Sequence, residues 1–205
     1  MSEKILSSLE FVLKNGDFEE LRSDHGLVID LRYATNDNFV GYNLYGPFNR
    51  AFLHKHAAER LFKARDWLQR KNPGYTFVIY DALRPRCIQH ILWSHVEGTD
   101  AEIYVAHPDR GSMHCFGMAI DLSVMDSNGH MLDMGAGFDD FREIAQPAHE
   151  DRFKAGGMLT DKHLENRLIL RESMESAGFT SIRHEWWHFD AMDRAVVREK
   201  YTLVE

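Results

Sequence analysis

Apolar positions recur at helical spacing in three stretches of the chain. Ile5, Leu9, Val12 and Leu13, ahead of Gly16, predict a short N-terminal helix. Ala57, Leu61, Ala64 and Leu68 keep a three-to-four spacing and predict an amphipathic helix from Leu53 to Leu68 that stops near Asn72-Pro73-Gly74. Leu164, Leu168, Ile169 and Met174 predict another from Lys162 to Ala177, closed by Gly178. A helix running toward His95 is expected to start at Pro85, whose fixed φ suits a first helical turn. Between these, β-branched and aromatic runs predict strands at 27–33, 75–80 and 118–124, the last followed by a turn at Asp126-Ser-Asn-Gly129 and a second extended piece. Residues 179–182 and 185–190 have the same character and read as strands. Helices and strands segregated in this way predict an α+β fold with a central, largely antiparallel sheet packed by helices. No repeat, low-complexity run or linker divides the sequence, so residues 1–205 read as a single domain.

Charge narrows the range of partners. The chain carries 24 Lys+Arg against 32 Asp+Glu, a net charge of −8. Nucleic acid or an anionic membrane would need a basic footprint, so a small-molecule substrate is expected instead. The N-terminal residues carry acids throughout and no stretch approaches the ~20 apolar residues of a membrane span. A cytoplasmic protein is the plain expectation. Cys87 and Cys115 form no C-x-x-C pair, which predicts two reduced thiols rather than a disulfide or a cysteine zinc site. Oligomeric state is not readable from the pattern.

The chain holds 12 histidines, and two clusters give some of them meaning. In His114-Cys-Phe-Gly-Met-Ala-Ile-Asp121 a histidine and an aspartate would meet at one metal if the chain turns at Gly117 before entering the strand. An aspartate at the polar beat of a strand is as readily a solvated group. The second cluster, His184-Glu-Trp-Trp-His188, has the letters of H-E-x-x-H, in which a helix sets two histidines one turn apart on zinc. Its surroundings suggest an extended segment instead, in which 184 and 188 share a face and Glu185 points away unless the chain twists or bulges before His188.

Taken together, the clusters resemble one family. Ser112-Met-His-Cys-Phe-Gly-Met-Ala-Ile-Asp121 is similar to the S-x-H-x-x-G-x-A-x-D pattern, and Glu185-Trp-Trp-His188 to the E-x-W-H pattern, of the D-alanyl-D-alanine dipeptidases of the VanX type. Arg32-Tyr-Ala-Thr-Asn-Asp-Asn-Phe-Val-Gly41, Tyr80-Asp-Ala-Leu-Arg-Pro85 and Met134-Gly-Ala-Gly-Phe-Asp139 resemble further stretches of that family. The resemblance implies the fold shared by D-Ala-D-Ala carboxypeptidases and the hedgehog signalling domain. It implies one Zn²⁺ per chain on His114, Asp121 and His188, with a position open to water. Glu185 would be the general base and Arg84 the stabiliser of the oxyanion. Tyr33 and Asp139 would meet the substrate's amino group and Ser112 its carboxylate. The expected activity is hydrolysis of D-Ala-D-Ala.

Two departures bear on specificity. Cys115-Phe116 stands where the family usually has Ser-Arg, so a cationic contribution is missing and Phe116 would either reshape the dipeptide preference or merely pack. Cys115 is also a conceivable ligand. Two alternatives to the dipeptidase reading stay open: a peptidase with a helical His184/His188 zinc site, and a non-catalytic binding module of the same fold. Retention of both Glu185 and Arg84 beside the ligands argues against the latter.

Overall fold

The computed structural model describes residues 3–205. Helix α1 (Glu3–Lys14) buries Ile5, Leu9 and Val12, whereas Leu13 is exposed and takes no part in that face. Strand β1 (Phe18–Leu21) follows, then β2 (Leu27–Ile29). β2 is shorter than the apolar run suggests, because residues Arg32–Ala34 tighten into a 3₁₀ turn that places Tyr33 at its centre. Strand β3 (Ala51–His54) pairs antiparallel with β1 as a separate two-stranded sheet. Neither strand of this pair is evident from periodicity. Leu53, expected at the start of a helix, lies in β3, and helix α2 (Lys55–Lys71) begins where the His54 ring accepts from the His56 amide at 3.3 Å. The face of α2 is as the spacing predicts: Ala57, Leu61, Ala64 and Leu68 are buried.

Strand β4 (Thr76–Asp81) leads through Pro85 into α3 (Arg86–Val96), and β5 (Ala119–Met125) is buried through Val124. A short α4 (Glu150–Ala155) precedes α5 (Asp161–Ser176). The limits of α5 match the expectation but its inner face does not. Asn166, Arg167, Leu170, Ser173 and Met174 are buried, while Leu168 is 47% exposed. Strands β6 (Thr180–Ser181) and β7 (His188–Asp190) and helix α6 (Arg194–Lys200) complete the chain.

The main sheet has the order β2-β4-β5-β7-β6. Only β2 runs parallel to its neighbour, so the sheet is largely antiparallel, and with its helices it forms the expected α+β fold. One hydrophobic core joins Phe77, Ile79, Ile120, Leu122 and Phe189 of the sheet to Leu61 and Leu68 of α2 and Leu170 and Met174 of α5. A second gathers Ile5 and Leu9 of α1, Ile88 and Leu92 of α3, and Tyr33. Among the described residues no helix is long and apolar enough to cross a membrane.

The segment before β7 departs most from expectation. An extended strand over 185–190 would send alternate residues to opposite faces. The chain instead bends through residues 183–187, so Glu185, Trp186 and Trp187 are all buried before His188 enters the sheet. Two adjacent indoles perpendicular to each other, 5.5 Å between centroids, fill the core on either side of the bend.

Candidate active site

The sheet sets the first part of the site by register. β5 pairs with β7 so that Asp121 faces His188, and β4 pairs with β5 so that Asp81 faces Asp121. A shift in register between Ile79 and Asp81 is what brings Asp81 opposite, a use of strand irregularity common beside functional sites. Asp81, Asp121 and His188 thus form one row across three strands, all less than a tenth exposed.

His114 reaches that row from a 3₁₀ turn (Met113–Phe116) that opens on Ser112, whose hydroxyl accepts from the His114 amide at 3.4 Å. The turn must end on glycine. Gly117 has φ +64°, and a Cβ there would lie 2.7 Å from the His54 backbone nitrogen. The chain therefore turns at Gly117 straight into β5, which returns Asp121 to His114.

Three donor atoms converge. His114 Nε2 lies 3.3 Å from Asp121 Oδ1 and 3.2 Å from His188 Nδ1, and His188 Nδ1 is 2.9 Å from Asp121 Oδ1. One ligand atom from each residue lies within 4.8 Å of the others, the single such grouping among the described residues. The far side of each ring is already committed. His114 Nδ1 donates to the Ala82 carbonyl at 2.7 Å, and His188 Nε2 donates to Asp190 Oδ1 at 2.9 Å. With those nitrogens engaged, the other nitrogen of each ring is the one turned toward Asp121, which is how metal-binding imidazoles are oriented.

The charge around this point favours a cation. Asp81, Asp121, Glu185 and Asp190 are all buried within the same region, and buried carboxylates are costly unless paired or bound to metal. Burial works against a charge on His188, yet the Asp190 carboxylate and hydrogen bonds to Asp121 and Asp190 prevail and push its pKa up to about 10. Asp121 is held well below the usual carboxylate range, its burial outweighed by His114 and His188. Two nitrogen donors, one oxygen donor and a surplus of negative charge fit a divalent ion such as zinc.

Glu185 stands beside this triad, Oε2 3.8 Å from His188 Nδ1, because the bend before β7 turns it inward. Burial pushes its carboxyl up to about 7, with His188 opposing and Asp121 reinforcing the rise. Arg84, buried in the loop after β4, is held by Asp81 (Nε to Oδ2, 2.9 Å), and its amide donates to the His114 carbonyl at 3.1 Å. Burial weakens its charge, but Asp81, Tyr33 and Asp121 more than compensate, so it remains a fixed cation. Its guanidinium lies 5.3 Å from the centroid of the Tyr33 ring.

Across the cleft, the Tyr33 hydroxyl donates to Asp139 Oδ1 at 3.1 Å. Asp139 is the one non-glycine residue at positive φ among those described, and its Oδ2 is buried without a partner. Burial, followed by the nearby Asp121 charge, raises its pKa well above the ordinary value.

Tyr33, Arg84, Ser112, His114, Asp121, Asp139, Glu185 and His188 all line one open cavity of about 610 Å³. Every residue to which the family resemblance assigns a role is therefore in one place. Two alternatives fall. His184 is exposed at the rim and residues 184–187 are not helical, so the helical His184/His188 zinc site does not exist. Cys115 is fully buried outside the triad, and Phe116 is buried against Gly111 in the core, so neither lines the cavity and Phe116 merely packs. Sequence reasoning assigned no role to Asp81 or Asp190. The signal for Asp190 was its spacing, two residues beyond His188 and hence on the same strand face.

A cation socket, a buried base and a fixed guanidinium sharing an open cleft form the working parts of a hydrolytic metalloenzyme. The family profile described as D-ala-D-ala dipeptidase, Peptidase M15, matches residues 17–204, and the chain belongs to that family. It is 39% identical over 164 residues to the D-alanyl-D-alanine dipeptidase of Escherichia coli (strain K12), covering 80% of this chain and 78% of that one. Those of Enterococcus faecium (31% over 186 residues, 82% and 88% covered) and Streptomyces coelicolor (30% over 195 residues, 85% and 91%) are also similar. The protein is accordingly a peptidase enzyme.

Proposed function

We propose that this protein is a cytoplasmic dipeptidase that hydrolyses D-Ala-D-Ala to two D-alanines, with one Zn²⁺ held by His114 Nε2, Asp121 Oδ1 and His188 Nδ1. The observation that carries the reading is the convergence of triad, base, guanidinium and terminus-recognising groups in a single cavity. Relatives named D-alanyl-D-alanine dipeptidase support the choice of substrate. Zinc in that socket supplies Lewis acidity toward water and the scissile carbonyl.

The chain's own groups do the rest. Glu185, with a proton affinity near neutrality, takes a proton from the attacking water and delivers it to the amine nitrogen as the C–N bond breaks. Arg84, buried and ion-paired with Asp81, offers a guanidinium that needs little reorganisation when negative charge gathers on the carbonyl oxygen. The partnerless Asp139 Oδ2, with Tyr33 on the other oxygen, is an acceptor for the substrate's ammonium group. Ser112 Oγ already accepts from an amide, which leaves its hydrogen to donate to the substrate's carboxylate. Recognition at both ends restricts the enzyme to dipeptides.

The test is hydrolysis of D-Ala-D-Ala beside L-Ala-L-Ala and a longer peptide ending in D-Ala-D-Ala, with zinc supplied. Selective cleavage of the first is expected, and no zinc-dependent cleavage of it would defeat the proposal. Glu185→Gln should lower kcat by roughly 10²–10⁴-fold with metal content unchanged.

A further inference from the structure

Asp139 sits in an irregular stretch, residues 133–146, that contains no strand or α-helix of its own. Something must hold it, since a left-handed aspartate with a buried, partnerless oxygen is not a conformation a loose loop would keep. The middle of the stretch is supported by Phe138, which packs on Tyr33, Tyr80 and Trp187. Its two ends are held from α5. Arg167 is almost completely buried, and its side chain divides between them: Nε donates to the Met134 carbonyl at 2.8 Å and Nη2 to the Ile144 carbonyl at 2.9 Å. Nη1 is 3.3 Å from Glu150. Asn166, its buried neighbour, donates from Nδ2 to the Asp133 carbonyl at 2.7 Å.

We propose that Arg167, assisted by Asn166, is a positioning residue for substrate recognition: its planar fork ties together the two ends of the 133–146 loop and thereby sets Asp139 where the substrate's amino group binds. Arg167 does not line the cavity, so it acts only through the loop. A buried arginine on a packed helix face is costly and has a purpose only where its fixed donors are all used. Here two of its three donor nitrogens go to backbone carbonyls that no regular element satisfies. Arg171 makes its own pair with Glu150 at 2.9 Å, so the acid does not by itself account for Arg167. The inference rests on the proposed dipeptidase activity for its substrate and on the Arg167 and Asn166 hydrogen bonds for the tether.

Arg167→Lys keeps the charge but cannot bridge two carbonyls, and Arg167→Met keeps much of the volume without donors. Both should raise KM for D-Ala-D-Ala at least about tenfold with kcat within about twofold and zinc stoichiometry intact. The preference for D-Ala-D-Ala over N-acetyl-D-Ala-D-Ala should shrink as it does in Asp139→Asn. Combining Arg167→Lys with Asp139→Asn should add little to Asp139→Asn alone, whereas a merely stabilising role would add its full effect. Amide exchange over 133–146 should quicken in Arg167→Lys while β5 and β7 keep their protection. Asn166→Ala, the mildest change, should move KM and exchange in the same direction if the arginine variants fail to fold. Unchanged KM and exchange in the folded variants, or full additivity with Asp139→Asn, would overturn the tether. Quickened exchange over 133–146 in Arg167→Lys, beside a wild-type protein that cleaves no D-Ala-D-Ala, would instead overturn the activity while leaving the tether standing.

Discussion

Asp190 offers the sharpest probe of the metal socket, because its carboxylate bonds a proposed ligand, His188, and has no assigned part in the proposed substrate chemistry. Its Oδ1 accepts from His188 Nε2 at 2.9 Å, and its Oδ2 accepts from Arg194 Nε at 2.6 Å. Burial would raise its pKa, but His188 and Arg194 hold it below the ordinary carboxylate value, so it contributes a full negative charge behind the ring. That charge increases the basicity of the opposite nitrogen, Nδ1, and the hydrogen bond fixes the ring's tautomer and angle.

Asp190→Asn and Asp190→Ala separate these two contributions. In the asparagine variant the carbonyl oxygen keeps the hydrogen bond from His188 while the amide NH₂ faces Arg194, which is half exposed and can turn to solvent. Orientation survives and charge is lost, so zinc affinity should fall about tenfold, or about 1.4 kcal/mol. In the alanine variant orientation goes as well, and the loss should approach about a hundredfold, or about 2.7 kcal/mol. Competition against a chromogenic zinc chelator at neutral pH measures both, and kcat at saturating zinc should change far less than affinity. Equal zinc affinity in wild type and Asp190→Ala would refute the account of His188 as a ligand supported from behind.

Three further outcomes follow from particular side chains. His184→Ala should retain zinc stoichiometry and activity, since His184 is exposed at the rim; loss of both, measured by metal analysis and dipeptide hydrolysis, would restore the helical site. Gly117→Ala combines a left-handed backbone with a Cβ 2.7 Å from a backbone nitrogen, and should cost about 3 kcal/mol, a drop in Tm of roughly 6–12 °C, together with weaker zinc binding. Iodoacetamide at pH 8.5 should label half-buried Cys87 before Cys115, which is inaccessible and whose thiol burial pushes up to about 11; peptide mapping of the native protein would show the reverse if the 112–118 turn opens readily.

The fold was legible in the sequence where one face of an element is apolar. α2 shows this most plainly, its buried Ala57, Leu61, Ala64 and Leu68 being the residues that the spacing picks out. α5 shows the limit. Its length was readable, but its inner face carries Asn166, Arg167 and Ser173, because the surface it meets includes an irregular loop with carbonyls to satisfy. Periodicity counts apolar residues and is blind to a face that is buried through hydrogen bonds. The pairing of β1 with β3 was hidden for a different reason. Each is four residues long, too short for alternation to show, and β3 runs directly into α2.

The site was legible as a set of residues rather than as a geometry. His114 and Asp121 are close in sequence, so the turn at Gly117 could be foreseen, whereas His188 joins them only through the β5–β7 register. Glu185 required a bend that the strand-like composition of residues 179–190 conceals, and the two tryptophans that gave that composition are what the bend buries. The charge is the deeper case. A net charge of −8 over the whole chain says nothing of place. The fold draws Asp81, Asp121, Glu185 and Asp190 into one buried region, with Arg84 buried against Asp81 and the half-exposed Arg194 paired with Asp190. Water would normally carry that excess of negative charge, and here it cannot. A divalent cation held by His114, Asp121 and His188, as proposed, would offset that charge, and metal binding would then be linked to the stability of this part of the fold.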